Sequence, residues 1–190
     1  MKFAAFTLFA ICAGAFSFAQ SHSIAYQEAA RKFDYIRENG KRERPNPAPT
    51  VFSATELNAW VNQGGIKLPI GVENVRFSST PGIITALAHI NFDRIKSGPA
   101  SSNPLMQIFS GVHEVKVVAR AGASGGTGRV HVISVSIDQV IVPRIALQFF
   151  AELYLQPKYG DKAGLDSTFR LPARVDSASA GSDTLTVVQR

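Results

Sequence analysis

Val72-Glu73-Asn74-Val75-Arg76-Phe77-Ser78-Ser79-Thr80-Pro81-Gly82-Ile83-Ile84-Thr85-Ala86-Leu87-Ala88-His89-Ile90-Asn91-Phe92 is the stretch at which the chain changes period, from helical to two. Val75 and Phe77 alternate with Arg76 and Ser78, and Thr80-Pro81-Gly82-Ile83 carries proline and glycine where a type II turn needs them. Ile84, Ala86, Ala88, Ile90 and Phe92 then line one face of a long strand, with Thr85, His89, Asn91 and Asp93 on the other. A hairpin of two such strands demands further strands to cover it, so the rest of the chain is read outward from here.

Downstream, residues 112–121 and 129–142 read as two more strands around a flexible glycine-rich tip, Gly122 to Gly128. Between the hairpins, Asn103-Pro104 opens a short helical turn with Leu105, Ile108 and Phe109 facing inward. Pro143 opens a long helix that Pro157 stops. At 100° per residue, Ile145, Leu147, Phe149, Phe150, Leu153 and Tyr154 spread over most of its circumference, and Gln148 and Glu152 form one narrow polar edge. A helix that apolar needs cover on two sides. Three short strands near residues 165–171, 174–180 and 184–188 complete an antiparallel set.

Upstream, Ser53-Ala54-Thr55-Glu56 is a capping box, with Phe52 and Leu57 at the hydrophobic staple positions. Leu57, Trp60 and Val61 share a face of the helix it starts, and Gly64-Gly65 ends it. An earlier helix over residues 25–38 is followed by Pro45, Pro47 and Pro49 in alternation, which reads as an extended linker and makes that helix a separable arm. Strands and helices that segregate rather than alternate predict an α+β class: a curved antiparallel sheet packed around the long helix of the C-terminal half, with a capped N-terminal helix.

The first nineteen residues read as a secretory leader. Lys2 gives the positive start, Phe3 to Phe18 is an apolar run, and Ser17-Phe18-Ala19 suits a signal peptidase. The division expected is therefore residues 1–19 as signal peptide, 20–50 as helical arm and linker, and 51–190 as one α+β domain. Export places the protein in the periplasm or outside the cell; an uncleaved inner-membrane anchor is the rival reading. Cys12 is the one cysteine in 190 residues, and cleavage removes it, so neither a disulfide nor a thiol nucleophile is available. The formal net charge is +6. Six basic residues, Arg31, Lys32, Arg37, Lys41, Arg42 and Arg44, gather in the arm and offer contact with anionic headgroups, while export and the lack of aromatic and basic interleaving argue against nucleic acid.

Catalytic patterns do not assemble. Gly122-Ala123-Ser124-Gly125-Gly126 is written like a nucleophile elbow but is followed by a strand, not the helix that chemistry requires. His89, Asn91 and Asp93 have the spacing of any exposed strand face, His113-Glu114 lacks a second histidine four residues on, and no spacing pairs Asp138, Glu152 or Asp161. The expectation is a protein that is not an enzyme and uses no metal or cofactor.

Three sets of residues resemble the small exported LmeA-like phospholipid-binding proteins, related to the tubular lipid-binding superfamily: Phe52 to Trp60; Gly71 to Phe77 with Pro81 to Ile84; and Val140 to Ala146 with Phe169 to Pro172. The resemblance implies a half-tubular sheet wrapped round a long helix, an acyl chain between them, and no covalent chemistry. Its ligand wall would be Leu57, Trp60, Val61, Ile84, Ala86, Ala88, Ile90, Phe92, Phe149, Phe150 and Leu153. The alternative is an envelope interaction or scaffold module without a small-molecule ligand.

Overall fold

A computed structural model describes residues 22–96, 110–152 and 164–190. The leader, the helical turn expected at Asn103-Pro104 and the Pro143 helix beyond residue 152 lie outside the described residues. The elements are α1 (Ile24–Asn39), β1 (Thr50–Ser53), α2 (Ala54–Asn62), β2 (Val72–Thr80), β3 (Ile83–Asn91), α3 (Phe92–Lys96), β4 (Val112–Ser124), β5 (Thr127–Ile137), β6 (Val140–Ile141), α4 (Arg144–Phe150), β7 (Asp166–Arg170), β8 (Val175–Ala180) and β9 (Thr184–Gln189). The class is α+β, built on one large antiparallel sheet.

All nine strands among the described residues belong to that sheet, in the order β1-β9-β8-β4-β3-β2, while β5 lies on the other edge of β4 and carries β6 and β7. The quoted hairpin forms as read, with Thr80 opposite Ile83 and Gly82 at φ 73°. β4 is the longest strand and outruns β3. Where β3 ends, β8 takes over the same edge at Gly122 and Ala123. The Pro81-Gly82 turn closes the corner, since the Gly82 amide donates to Ala180 (3.0 Å) and its carbonyl accepts from Ala121 (3.1 Å).

One face of the sheet carries two apolar clusters. Ile36, Phe52, Val175 and Val187 form the first, under α1 and α2; Phe92 and Val115 form the second, with Ile90, Ile95, Val117, Val135 and Ile137 around them. Phe92 is thus not the last residue of the strand face. It begins α3, which Asn91 caps by accepting from the Arg94 amide (3.1 Å), because a short polar side chain before an apolar residue competes for backbone donors that a strand would leave to its neighbour.

Three further expectations are corrected. The glycine-rich tip is not a long flexible loop: β4 and β5 run on to Ser124 and Thr127, and only Gly125 and Gly126, both at positive φ, make the turn. The expected strand over residues 129–142 breaks at Asp138 and Gln139, which take φ of 47° and 70° although neither is glycine. The N-terminal helix is no separable arm, because Ala29, Ile36 and Asn39 are buried. The Asn39 amide donates to Gln189 (2.8 Å) and to the Asn46 carbonyl (3.0 Å), and the Gln189 amide donates to the carbonyls of Ile36 (2.7 Å) and Ala173 (2.6 Å). That buried network ties α1 and its proline segment to the last strand, with every polar atom answered.

The long helix is described only as α4 and the two residues after it. Ile145 is 66% exposed and Phe149 54%, so the described part of α4 is not what the sheet wraps. Among the described residues no helix is long and apolar enough to cross a membrane.

Candidate functional site

The site grows from α2. Its capping box is complete: the Glu56 amide donates to the Ser53 hydroxyl (3.2 Å) and the Ser53 amide to the Glu56 carboxylate (2.8 Å). Lys32 of α1 reaches the same carboxylate at 2.6 and 2.7 Å, so the cap is also the tether between the two helices. Burial pushes the Glu56 carboxyl up, but the bonds from Lys32 and Ser53 outweigh it and hold it below its ordinary value. At the other end the Gly65 amide donates to the Trp60 carbonyl (2.8 Å) across Gly64 at φ 92°, a Schellman closure. A Cβ on Gly65 would stand 2.4 Å from the Trp60 indole, so that glycine is what lets the ring lie flat against the turn.

Two asparagines one turn apart fix α2 to the sheet. β2 is an edge strand, and its outward backbone groups at Val75 and Phe77 would face solvent unpaired. The Asn58 side chain accepts from the Phe77 amide (2.6 Å) and donates to its carbonyl (3.0 Å); Asn62 does the same for Val75 (2.9 and 2.6 Å). Asp183, in the β8–β9 turn, completes the row. Its carboxylate accepts from the Ser79 amide (3.0 Å) and its own amide donates to the Ser79 carbonyl (2.9 Å). Three side chains at alternate positions stand in for a missing strand.

Held there by its polar edge, α2 bridges β2 and the β8–β9 turn without closing on the sheet. The gap is a partly open cavity of about 230 Å³. Leu57, Trp60 and Val61 of α2 roof it with Phe33 of α1, and Phe77, Ile84 and Leu185 supply its floor. The Phe33 ring lies 4.1 Å from Trp60 and 4.6 Å from Phe52, an aromatic ladder that continues the core into the roof. Asp183 and Thr184 stand at the margin, and the exposed wall is overwhelmingly apolar.

Of the residues expected to form the ligand wall, Leu57, Trp60, Val61 and Ile84 come together here. Ala86, Ala88 and Ile90 share the face of Ile84 by alternation but lie farther along β3, and Ile90 and Phe92 belong to the second cluster. Phe149 is exposed, while Leu153 and the Phe150 side chain lie outside the described residues. This cavity lies under α2, because α2 carries polar side chains that hold it at a distance from the sheet. Phe33, Phe77 and Leu185 were missed as wall residues, although each sat on an apolar stripe. The signal that would have found them is Asn58 and Asn62, an i, i+4 amide pair with no reason to sit on a half-buried helix unless it meets backbone.

The serine in residues 122–126 does not meet a histidine of the neighbouring strand. Ser124 and His131 lie four residue pairs apart along the β4–β5 ladder, about 13 Å in strand rise, too far for a proton relay. His131 instead pairs with Asp166, which Arg144 also contacts at 2.9 Å, and the hydrogen bond from His131 is the chief cause of a lowered Asp166 pKa. Asn91 caps α3, and Asp93 accepts from the Gly111 amide (2.8 Å), which occupies two of the three residues considered for a metal. In the basic arm, Arg31, Lys32, Arg37 and Lys41 are each in an ion pair, with Glu28, Glu56, Asp34 and Glu38.

Set against the models of known protein families, the curated proteins and the solved structures, the chain matches none.

Proposed function

We propose that this protein is an exported, non-enzymatic binder of apolar ligands, and that the cavity under α2 holds one acyl chain or a similarly slender hydrocarbon. The observation that carries the reading is a cavity with an almost wholly apolar wall, beside a strand edge whose outward backbone groups at Val75, Phe77 and Ser79 are all paired. At about 230 Å³ it exceeds the ~150 Å³ that suffices for a benzene ring but falls short of the ~300 Å³ at which drug-sized pockets begin. That size favours a single chain over a two-chain lipid. Burial of roughly six methylenes there is worth about 5 kcal/mol without any polar contact. The leader-like first nineteen residues and the resemblance to exported phospholipid-binding proteins point the same way. Contact with an anionic membrane through the arm narrows in this reading to Arg42 and Arg44, which have no ion pair among the described residues.

Trp60 is the sole tryptophan, so its fluorescence reports on the cavity directly. Titration with fatty acids of increasing length should shift its emission and tighten binding about fourfold per added methylene, until the cavity fills and the gain stops. Ala180→Leu, which grows a side chain into the cavity, should abolish the response while the unfolding midpoint holds or rises. A Trp60 spectrum indifferent to every chain length, or affinity that keeps rising with no plateau, would sink the proposal.

A second reading, an interaction module, is favoured by Val140, Ile141 and Ile145, each at least 66% exposed on β6 and α4. It predicts concentration-dependent association that Ile141→Lys and Ile145→Lys remove, together with a silent Trp60.

A further inference from the structure

The opposite face of the sheet holds an arrangement of charge that the apolar cavity does not use. Register places Arg120, His131 and Asp166 in one row across β4, β5 and β7; Gly122, Arg129 and Thr168 in the next; and Ser124, Thr127 and Arg170 in the third. Residues two apart on a strand share a face, so these nine side-chain positions form one surface patch. All three arginines are exposed, and no ion pair engages any of them among the described residues. The one carboxylate, Asp166, is already committed to His131 and Arg144. A groove of about 550 Å³ runs along these strands, with Arg120, Gly122, Ser124, Arg129 and Thr168 in its wall.

Gly122 is the centre of the pattern. Arg120 and Ser124 flank it along β4, and Arg129 stands directly opposite on β5. Strand rise and spacing put the Arg120 and Arg129 backbones about 8 Å apart on the diagonal, within reach of one small anion between their guanidinium groups. With no side chain at Gly122, the nearest atom to a Cβ built there is the Ala178 carbonyl at 3.8 Å, so the seat over it is open.

We propose that the seat over Gly122, between Arg120 and Arg129, binds the phosphate group of an organic phosphate. Two fixed positive charges match a dianion better than a carboxylate, and each guanidinium offers the forked donors that phosphate oxygens accept in pairs. The hydroxyls of Ser124 and Thr168 can donate to the remaining oxygens. The groove beyond has room for the organic part. This site and the apolar cavity are on opposite faces of the sheet, so either can fail alone.

The test is an NMR titration of the whole isotope-labelled protein with inorganic phosphate and with glycerol 3-phosphate, read at the amides of residues 120–124 and 127–131. Saturable shifts confined to these amides are expected. The Arg120→Gln, Arg129→Gln double variant should weaken binding by roughly tenfold per arginine lost. Gly122→Val keeps every charge but fills the seat, and should weaken binding to a similar degree; Gly122→Ala serves if valine unsettles the strand. Unfolding midpoints and the Trp60 response to fatty acids should stay unchanged in all of them. Co-sedimentation with vesicles containing phosphatidic acid, a phosphomonoester like glycerol 3-phosphate, separates the sources of phosphate: tighter binding to these vesicles than to glycerol 3-phosphate assigns the seat to a lipid headgroup, and the reverse order to a soluble ligand. Absence of saturable shifts, or wild-type affinity in the folded glycine variants, would each overturn the proposal.

Discussion

Two ends of the same sheet bury their apolar residues in different ways. Under α1 and α2, Phe52 is completely buried and the outward backbone groups of Val75, Phe77 and Ser79 on β2 all have partners, supplied by Asn62, Asn58 and Asp183. Around β6 and α4, Val140, Ile141 and Ile145 are 71%, 72% and 66% exposed. Both regions are rich in apolar residues, so composition does not separate them. Polar residues do. At the first end Ser53, Asn58, Asn62 and Asp183 hold α2 and the β8–β9 turn against the sheet, and the apolar side chains between them become a core. At the second, α4 starts at Pro143 without a side-chain cap, and Ile145 and Phe149 on it stay exposed.

The contrast breaks most visibly on truncation. Phe52→Ala removes a ring packed between Phe33 and the Val187 cluster and should cost about 3–5 kcal/mol, whereas Ile141→Ala at the other end should change stability by no more than about 0.5 kcal/mol. Urea denaturation of both variants measures the difference. Equal losses would mean that the exposed strip is covered in solution, and that the two ends are not distinct.

A finer test separates the polar staples from the core they create. Asn58→Ala leaves the Phe77 amide and carbonyl without their partner and should cost about 1–3 kcal/mol, with a similar loss for Asn62→Ala at Val75. Hydrogen exchange sharpens the assignment: the Phe77 amide should lose protection in the first variant and the Val75 amide in the second, while the Ser79 amide, held by Asp183, stays protected in both. Uniform deprotection would show instead that α2 is held by its apolar face alone.

How much of this could be read beforehand follows the same division. Signals confined to a few neighbouring residues were legible, because their partners are close in sequence: the Ser53 and Glu56 box, the Pro81-Gly82 turn and the alternation in β3 all took the form that local chemistry demands. Contacts made over long separations were not. Asn39 meets Gln189 across 150 residues, so nothing near either announced that α1 is part of the core. Leu57, Trp60 and Val61 were legible as one face of α2, but the void beneath them was not, because what props it open is the pair Asn58 and Asn62 meeting the backbone of a strand that follows. Asp138 and Gln139 make a turn inside an apparent strand, and what holds it there, the Asp138 carboxylate on His113 and the Glu114 amide, comes from more than twenty residues away.

That turn offers the smallest effect and the cleanest measurement. The Asp138 carboxylate accepts from His113 Nδ1 (2.5 Å) and from the Glu114 amide (3.0 Å), so it latches the β5–β6 turn onto the start of β4. The bond from His113, with help from the Glu114 amide, holds the Asp138 pKa below its ordinary 3.8; the bonds to Asp138 and to the Ser110 carbonyl raise that of His113 above 6.5. A lowered carboxyl stabilises the fold above its ordinary pKa and loses that contribution as pH falls through the lowered value. A raised histidine does so below 6.5 and loses it as pH rises through the raised value. The latch is therefore complete between about pH 3.8 and 6.5, and it loosens on either side. Because both groups report one contact, the two shifts are a single coupled effect. An NMR titration of the His113 ring should give a midpoint above 6.5 that falls back toward it in Asp138→Asn, a substitution that tolerates the same positive φ and so preserves the turn. An unmoved midpoint would show that the Ser110 carbonyl, not the turn, governs His113.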